Sequence, residues 1–374
     1  MSNHPYEYTR EIVNLYPDVS ERWCQGTLVP AQVEIHLPPR SKRLCWLQCP
    51  HCYTHGGLVQ GETIDANRIV ALVRQIAAGS PKTGEGPRKI ILSGVETDPM
   101  NSSAIHEVVA AVKTEGLALG IHTKGLKMDP ALIARLVNDN TAEDYISFSI
   151  DAGDSQTYNL VHGIPQSEAL LYEIVKRNVE RLVAARNASG ARLSIRATYL
   201  ITGQNAGLDQ AARFIDDFTA IGVDSLRFSV PIVPKMGQRD ESGRFPQIAP
   251  DELGKIEQRL AARKQDNARI VYQKFDANTR RTLPCFTRWL MPAIGYDGYL
   301  YPVSVLHRGY SGVYGLADRR LKGAGFLGCL IIRIEICRSK RPTASAIARR
   351  WRSIATWIKS SRFGGNQAQR QEAL

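Results

Sequence analysis

The sequence predicts an α/β fold, a partial (β/α)6 TIM-like barrel with a smaller C-terminal α+β extension. Short β-branched runs alternate with helical patterns through the middle of the chain. Six such runs read as strands, and each of the first five is followed by a helical pattern. That alternation implies a parallel sheet with right-handed crossovers, and six units are too few to close an eight-stranded barrel.

The elements run as follows. Residues 33–37 read as the first strand. Residues 63–78 carry Ile64, Ile69, Leu72, Val73 and Ile76 at helical spacing. Residues 89–93 (Lys-Ile-Ile-Leu-Ser) form a short buried strand, and 103–114 a helix. Strands at 117–123, 145–150, 193–200 and 225–230 alternate with helices at 130–137, 168–185 and 209–221. Residues 236–250 hold Gly237, Gly243, Pro246 and Pro250 and read as a linker. A helix over 251–264 follows, then a hairpin over 293–302 turning at Asp297-Gly298. Four regions result: an N-terminal extension (1–30), the barrel core (31–235), the extension (236–325) and a basic tail (326–374).

Composition narrows the class. The chain of 374 residues is 43% hydrophobic and 22% charged, enough apolar material for a large core. No apolar run of transmembrane length occurs, and the first residues carry charges where a secretory signal needs an apolar stretch. A cytoplasmic protein is expected. The net charge of +12 suggests nucleic acid, but its distribution argues against it. From residue 321 onward stand eleven bases and two acids, so the tail holds most of the excess. Within that tail Ile347, Trp351, Ile354 and Ile358 fall on one helical stripe with the bases largely off it. A surface helix, a membrane-surface contact and a frameshifted remnant of a longer domain are all compatible with it.

The chemistry concentrates directly after the first strand, where Leu44-Cys45-Trp46-Leu47-Gln48-Cys49-Pro50-His51-Cys52-Tyr53 stands. Seven cysteines are present, an odd number, and three of them share this segment. Such clustering points to a metal or redox site, not a disulfide framework. Three thiolates on one loop can wrap a cubane iron–sulfur cluster and leave one iron open. The competing reading is a zinc site of Cys45, Cys49, Cys52 and His55 in a binding protein.

The CxxxCxxC spacing, with an aromatic-type residue before the third cysteine, resembles the signature of the radical S-adenosylmethionine (SAM) superfamily. His51 stands where Phe, Tyr or Trp is commoner. Other segments resemble the family's pattern at later strand ends. Ser93-Gly94-Val95-Glu96 resembles its GGE segment, with Val95 inserted. His122-Thr123-Lys124-Gly125 resembles its TNG segment, and Ser149-Ile150-Asp151 its S-I-D segment. Arg196, a charge within an apolar strand, stands where related enzymes pair a basic residue with the SAM carboxylate.

The resemblance covers about residues 31–235. It implies metal ligands Cys45, Cys49 and Cys52. It implies SAM-binding positions at His51, Tyr53, Ser93, Gly94, Glu96, Thr123, Lys124, Ser149, Asp151 and Arg196. The cofactors implied are a [4Fe–4S] cluster and SAM, cleaved to a 5′-deoxyadenosyl radical that abstracts hydrogen from a substrate. An electron donor such as flavodoxin or ferredoxin is the implied partner. The substrate is expected to be a small metabolite, with a ribosomally made peptide as the alternative. Residues 285–302 resemble the start of a SPASM or twitch extension, with Cys285 as a possible ligand of an auxiliary cluster. Val303 and Ser304 stand where that pattern expects a cysteine.

Overall fold

The computed structural model describes residues 21–22, 25, 27–45, 47–52, 57–59, 61–79, 84–93, 97–167, 171–230, 248–273, 290–298 and 300–301. β1 (Gln32–Ile35) leads to α1 (Ala66–Ala78), β2 (Lys89–Leu92), α2 (Ile105–Thr114), β3 (Ala118–Thr123), α3 (Pro130–Asn138) and β4 (Tyr145–Ser149). Then come α4 (Ser155–His162), α5 (Leu171–Ser189), β5 (Ser194–Leu200), α6 (Leu208–Ile221) and β6 (Ser225–Ser229). α7 (Pro250–Asp266), β7 (Ile270–Gln273) and the hairpin strands β8 (Ala293–Ile294) and β9 (Leu300–Tyr301) complete the described elements.

The α/β expectation holds, and the sheet is larger than six strands. Its order is β7-β6-β5-β4-β3-β2-β1-β8-β9, open at both edges among the described residues. β1 to β8 run parallel to their neighbours, and β9 returns antiparallel to β8. The expected hairpin therefore joins the core's own sheet, beside β1. Two elements were not legible. β7 is only Ile-Val-Tyr-Gln, too short for a periodic signal. α4 is a short helix, yet it has Asp154 as N-cap and Gly163 just past its end.

The residues form these elements for local reasons. Asp65, Asp129 and Asp154 each accept a backbone N–H at a helix start, satisfying a donor the helix leaves over. Alternate strand residues then go to opposite faces. Ile35, Ile146, Phe148, Ile195 and Phe228 lie on the helix-covered face and are 0% exposed. Tyr199 packs there against Phe214 and Phe228, with ring centroids 5.1 and 5.3 Å away. Each large apolar side chain so buried contributes about 1.5–3 kcal/mol. The opposite face carries Glu34, His122, Ser147, Arg196 and Arg227. Ile91 and Tyr145 close in over Gly120 there, because a Cβ at that position would meet Ile91 Cδ1 and the Tyr145 ring at 2.6 Å.

Candidate active site

The cysteine loop leaves the carboxyl end of β1. An isolated bridge between Arg43 and Leu58 pinches its base, with Val59 N donating to Lys42 O at 2.7 Å and Leu44 N to Gly57 O at 2.9 Å. Within it Cys52 N donates to Cys49 O at 3.0 Å, a turn that holds the last two cysteines on one side. Cys45 and Cys52 are half-buried, and Cys49 is buried.

α4 buttresses the loop from below. Gln48 N donates to His162 O at 3.1 Å. Gly163 takes a left-handed conformation at φ 62°, and a Cβ there would meet Gln48 O at 2.3 Å. Only glycine fits both constraints. His162 Nε2 lies 3.1 Å from Ile150 O and its Nδ1 3.2 Å from Cys49 Sγ. Burial holds its imidazole well below the ordinary histidine value, so it is neutral. The carbonyl only accepts, so Nε2 carries the proton and Nδ1 accepts from the Cys49 thiol.

The thiols themselves are poor acids here. Burial pushes Cys49 up to about 12, and the neighbouring Cys52 and Cys45 add to that while Lys124 opposes it. Burial likewise pushes Cys45 to about 11. At neutral pH both stay protonated unless a metal displaces the protons. Among the described residues, no three Cys, His, Asp or Glu side chains converge as they would around one ion. A cubane gives each thiolate its own iron and does not need such convergence.

The other expected positions divide into three groups. Tyr53, Gly94 and Glu96 lie outside the described residues, as do His55, Cys285 and the basic tail. His51 is half-buried beside the loop, with its ring 6.5 Å from that of His162. Burial lowers its imidazole to about 4, and its Nδ1 has no hydrogen-bond partner among the described residues. Ser93 follows β2 and is hydrogen-bonded to Glu34.

Thr123, Lys124 and Asp151 are already engaged with the protein. Thr123 Oγ1 donates to Asp98 at 2.7 Å, and Lys124 N donates to the same carboxylate at 2.6 Å. Asp98 thus ties the loop after β2 to the loop after β3. Asp151 sits at φ 60°, a left-handed conformation that a non-glycine residue seldom adopts. Asn205 Nδ2 donates to its carbonyl at 2.7 Å, and Leu200 N to its Oδ1 at 2.7 Å. Lys124 Nζ donates to Asp151 Oδ2 at 3.1 Å. Burial opposes the charge on Lys124, but Asp151 and Cys49 outweigh it and hold the ammonium above its ordinary value. A fixed cation therefore faces the cysteine loop, in a cleft that also holds Cys45, Leu47, Asp98 and Met100.

Ser149 is half-buried at the carboxyl end of β4, on the helix-free face. Arg196 turns the other way. Its Nε donates to Ser194 Oγ at 3.3 Å, and its guanidinium lies 4.0 Å from the Tyr145 ring centroid, towards the amino ends of the strands. Tyr158, His162, Asp98 and Asn205 support the site without any strong sequence signal. Only the start and stop residues of α4 could have drawn attention to the first two.

No protein family and no curated protein sequence matches the chain. Solved structures do. Streptococcus suis SuiB bound to precursor peptide SuiA is 12% identical at a TM-score of 0.57, over 86% of this chain and 70% of that one. The same protein bound to S-adenosylmethionine is 11% identical at 0.56, over 82% and 67%. Native anSMEcpe with bound AdoMet and Kp18Cys peptide is 13% identical at 0.52, over 80% of each chain. The chain therefore has the fold of these proteins, as the resemblance implies.

Proposed function

We propose that this chain is a radical SAM enzyme in which Cys45, Cys49 and Cys52 hold a [4Fe–4S] cluster. The observation that carries the reading is the cysteine loop itself. Three thiols share one pinched loop at the carboxyl end of a barrel strand, facing the Lys124 ammonium, and burial keeps those of Cys45 and Cys49 protonated. That donor set fits a cluster of several irons, one of which stays open for SAM. When bound, the cluster and SAM supply a 5′-deoxyadenosyl radical that abstracts hydrogen from a substrate.

This chain's own residues bind and position. Lys124 offsets the negative charge of three thiolates. Gly163 and His162 fix Cys49 from below. His51, Tyr53, Ser93, Gly94, Glu96 and Ser149 are the proposed SAM contacts, with Thr123 and Asp151 shaping their loops. Among solved structures of this fold, SuiB and anSMEcpe carry S-adenosylmethionine, which supports SAM as the ligand. Flavodoxin or ferredoxin is the proposed electron donor.

Anaerobic purification tests the reading. Brown protein with about four irons and matching sulfide supports it. Colourless protein with about one zinc supports a zinc-stabilised binding protein instead. The substrate is proposed to be a small metabolite. A peptide is the second reading, favoured by the peptides bound to SuiB and anSMEcpe. Transfer of deuterium from a labelled peptide into 5′-deoxyadenosine would decide for the peptide.

A further inference from the structure

The lip of the cysteine loop carries a basic patch that neither the proposed cluster ligands nor the proposed SAM contacts use. Between β1 and Cys45 the chain runs Arg40-Ser41-Lys42-Arg43, and all four residues are exposed. Like charges so close together repel, and water screens them only in part. An acidic partner would relieve that repulsion.

The fold gathers more positive charge at the same place. Arg40 N donates to Asn101 O at 3.2 Å, and Asn101 Oδ1 accepts from Lys127 Nζ at 2.7 Å. Lys127 is exposed too. The segments after β1, β2 and β3 thus share one basic rim. Within residues 38–45, 57–59, 97–101 and 124–128 every exposed charge is basic, since Asp98 and Lys124 are half-buried. No acid pairs with Arg40, Lys42 or Arg43 among the described residues. Arg43 is bridged to Leu58, which at 60% is the most exposed large apolar side chain among the described residues. An apolar spot inside a charged rim is the anatomy of a protein interface.

The rim stands beside a proposed cluster ligand. Only the buried Leu44 separates Arg43 from Cys45 in the chain. Asn101 and Lys127 line the cleft that also holds Cys45. A nucleic acid needs cations spaced along a track that follows its backbone. Four charges gathered around a leucine, next to a thiol, fit a small protein face better.

We propose that this rim is the docking surface of an acidic protein that carries one electron. The carrier's acidic face meets Arg40, Lys42, Arg43 and Lys127, and its apolar centre covers Leu58. One electron leaves the docked carrier and enters the cluster from the Cys45 side. No bond forms or breaks and no group is transferred. The inference rests on the radical SAM reading for what the electron does once it arrives.

The test is stopped-flow reduction of the full, cluster-loaded chain by two acidic carriers in turn, a reduced flavodoxin and a reduced ferredoxin. At least one should react, and faster in low salt than in high. Arg40→Glu/Lys42→Glu/Arg43→Glu should lower its second-order rate constant at least about tenfold and flatten the salt dependence. Photoreduction by deazaflavin, a small molecule that needs no docking face, should run equally in wild type and variant. Lys255→Glu/Arg259→Glu/Lys264→Glu makes the same change in net charge on α7 and should react as wild type does. Circular dichroism melts verify that each variant folds. Should the triple rim variant fail to fold or to load iron, the single reversals Lys42→Glu and Arg43→Glu carry the comparison, each with a smaller loss in the same direction.

An unchanged rate in the rim variants, an equal loss in the α7 variant, or no reaction of wild type with either carrier overturns the proposal. A rim whose reversal removes binding of a short single-stranded RNA but leaves both carrier rates alone belongs to nucleic acid, which overturns it as well. Titrating the carriers onto iron-free protein keeps two failures apart. Rim-dependent binding by a chain that never takes up iron keeps the docking surface and removes the radical reading. A loaded cluster reduced at the same rate with and without the rim does the reverse.

Discussion

The two faces of the sheet come from the same strands and obey opposite rules. On β4, Ile146 and Phe148 lie under helices with no exposed surface, while Tyr145, Ser147 and Ser149 take the opposite face. On β5, Ile195, Ala197 and Tyr199 pack under the helices, while Ser194, Arg196 and Thr198 make polar and ring contacts on the opposite face. One face is sealed by apolar packing and the other is knit by polar contacts among His122, Tyr145, Ser194 and Arg196. The difference teaches where substitutions should be felt as stability and where as binding.

The sharpest test of that division is a pair of substitutions. Phe214→Ala, beneath the helices against Tyr199 and Phe228, should cost about 3–5 kcal/mol in urea unfolding. A cost below about 1 kcal/mol would erase the distinction between the faces. Gly163→Val comes next. It forces a β-branched residue into a left-handed conformation and against Gln48 O, so about 1–3 kcal/mol should be lost. Iron retention should fall with it, because the same contact seats the cysteine loop. Normal iron content in a destabilised Gly163→Val would detach α4 from the site.

The pH dependence probes the polar face. The His122 imidazole sits at about 4 in the folded chain, against an ordinary value near 6.5. Its contribution is fully present above pH ~6.5 and is lost as pH falls towards ~4, since only the unfolded chain takes up the proton there. Unfolding midpoints at pH 7 and pH 5 should therefore differ, and the gap should narrow in His122→Gln. An unchanged gap would mean that other groups set the acid limb. The smallest effect is expected at Ser147→Ala, within about 0.5 kcal/mol of the parent although the residue is buried.

Much of this arrangement was legible in the sequence, for identifiable reasons. The strands β1 to β6 announced themselves through β-branched runs, and Asp297-Gly298 marked the hairpin turn. The cysteine triad was legible because its spacing alone places three thiols on one loop. The direction of the Arg196 guanidinium was not, since a strand sequence shows which face a side chain takes but not whether it bends towards the mouth or the floor. The engagement of Thr123 by Asp98 was equally hidden, because it joins residues 25 positions apart. α4 escaped because a helix of eight residues offers little periodicity, although its caps were present. The pairing of β8 with β1 closes a contact from residue 294 back to residue 35, which no local pattern encodes.

The central claim is that Cys49 anchors a cluster that cleaves SAM. Dithionite-reduced, anaerobically reconstituted protein should convert SAM to 5′-deoxyadenosine and methionine, and Cys49→Ala should form neither above background. Equal product from Cys49→Ala, or none from a wild-type protein that carries its full complement of iron, would contradict it.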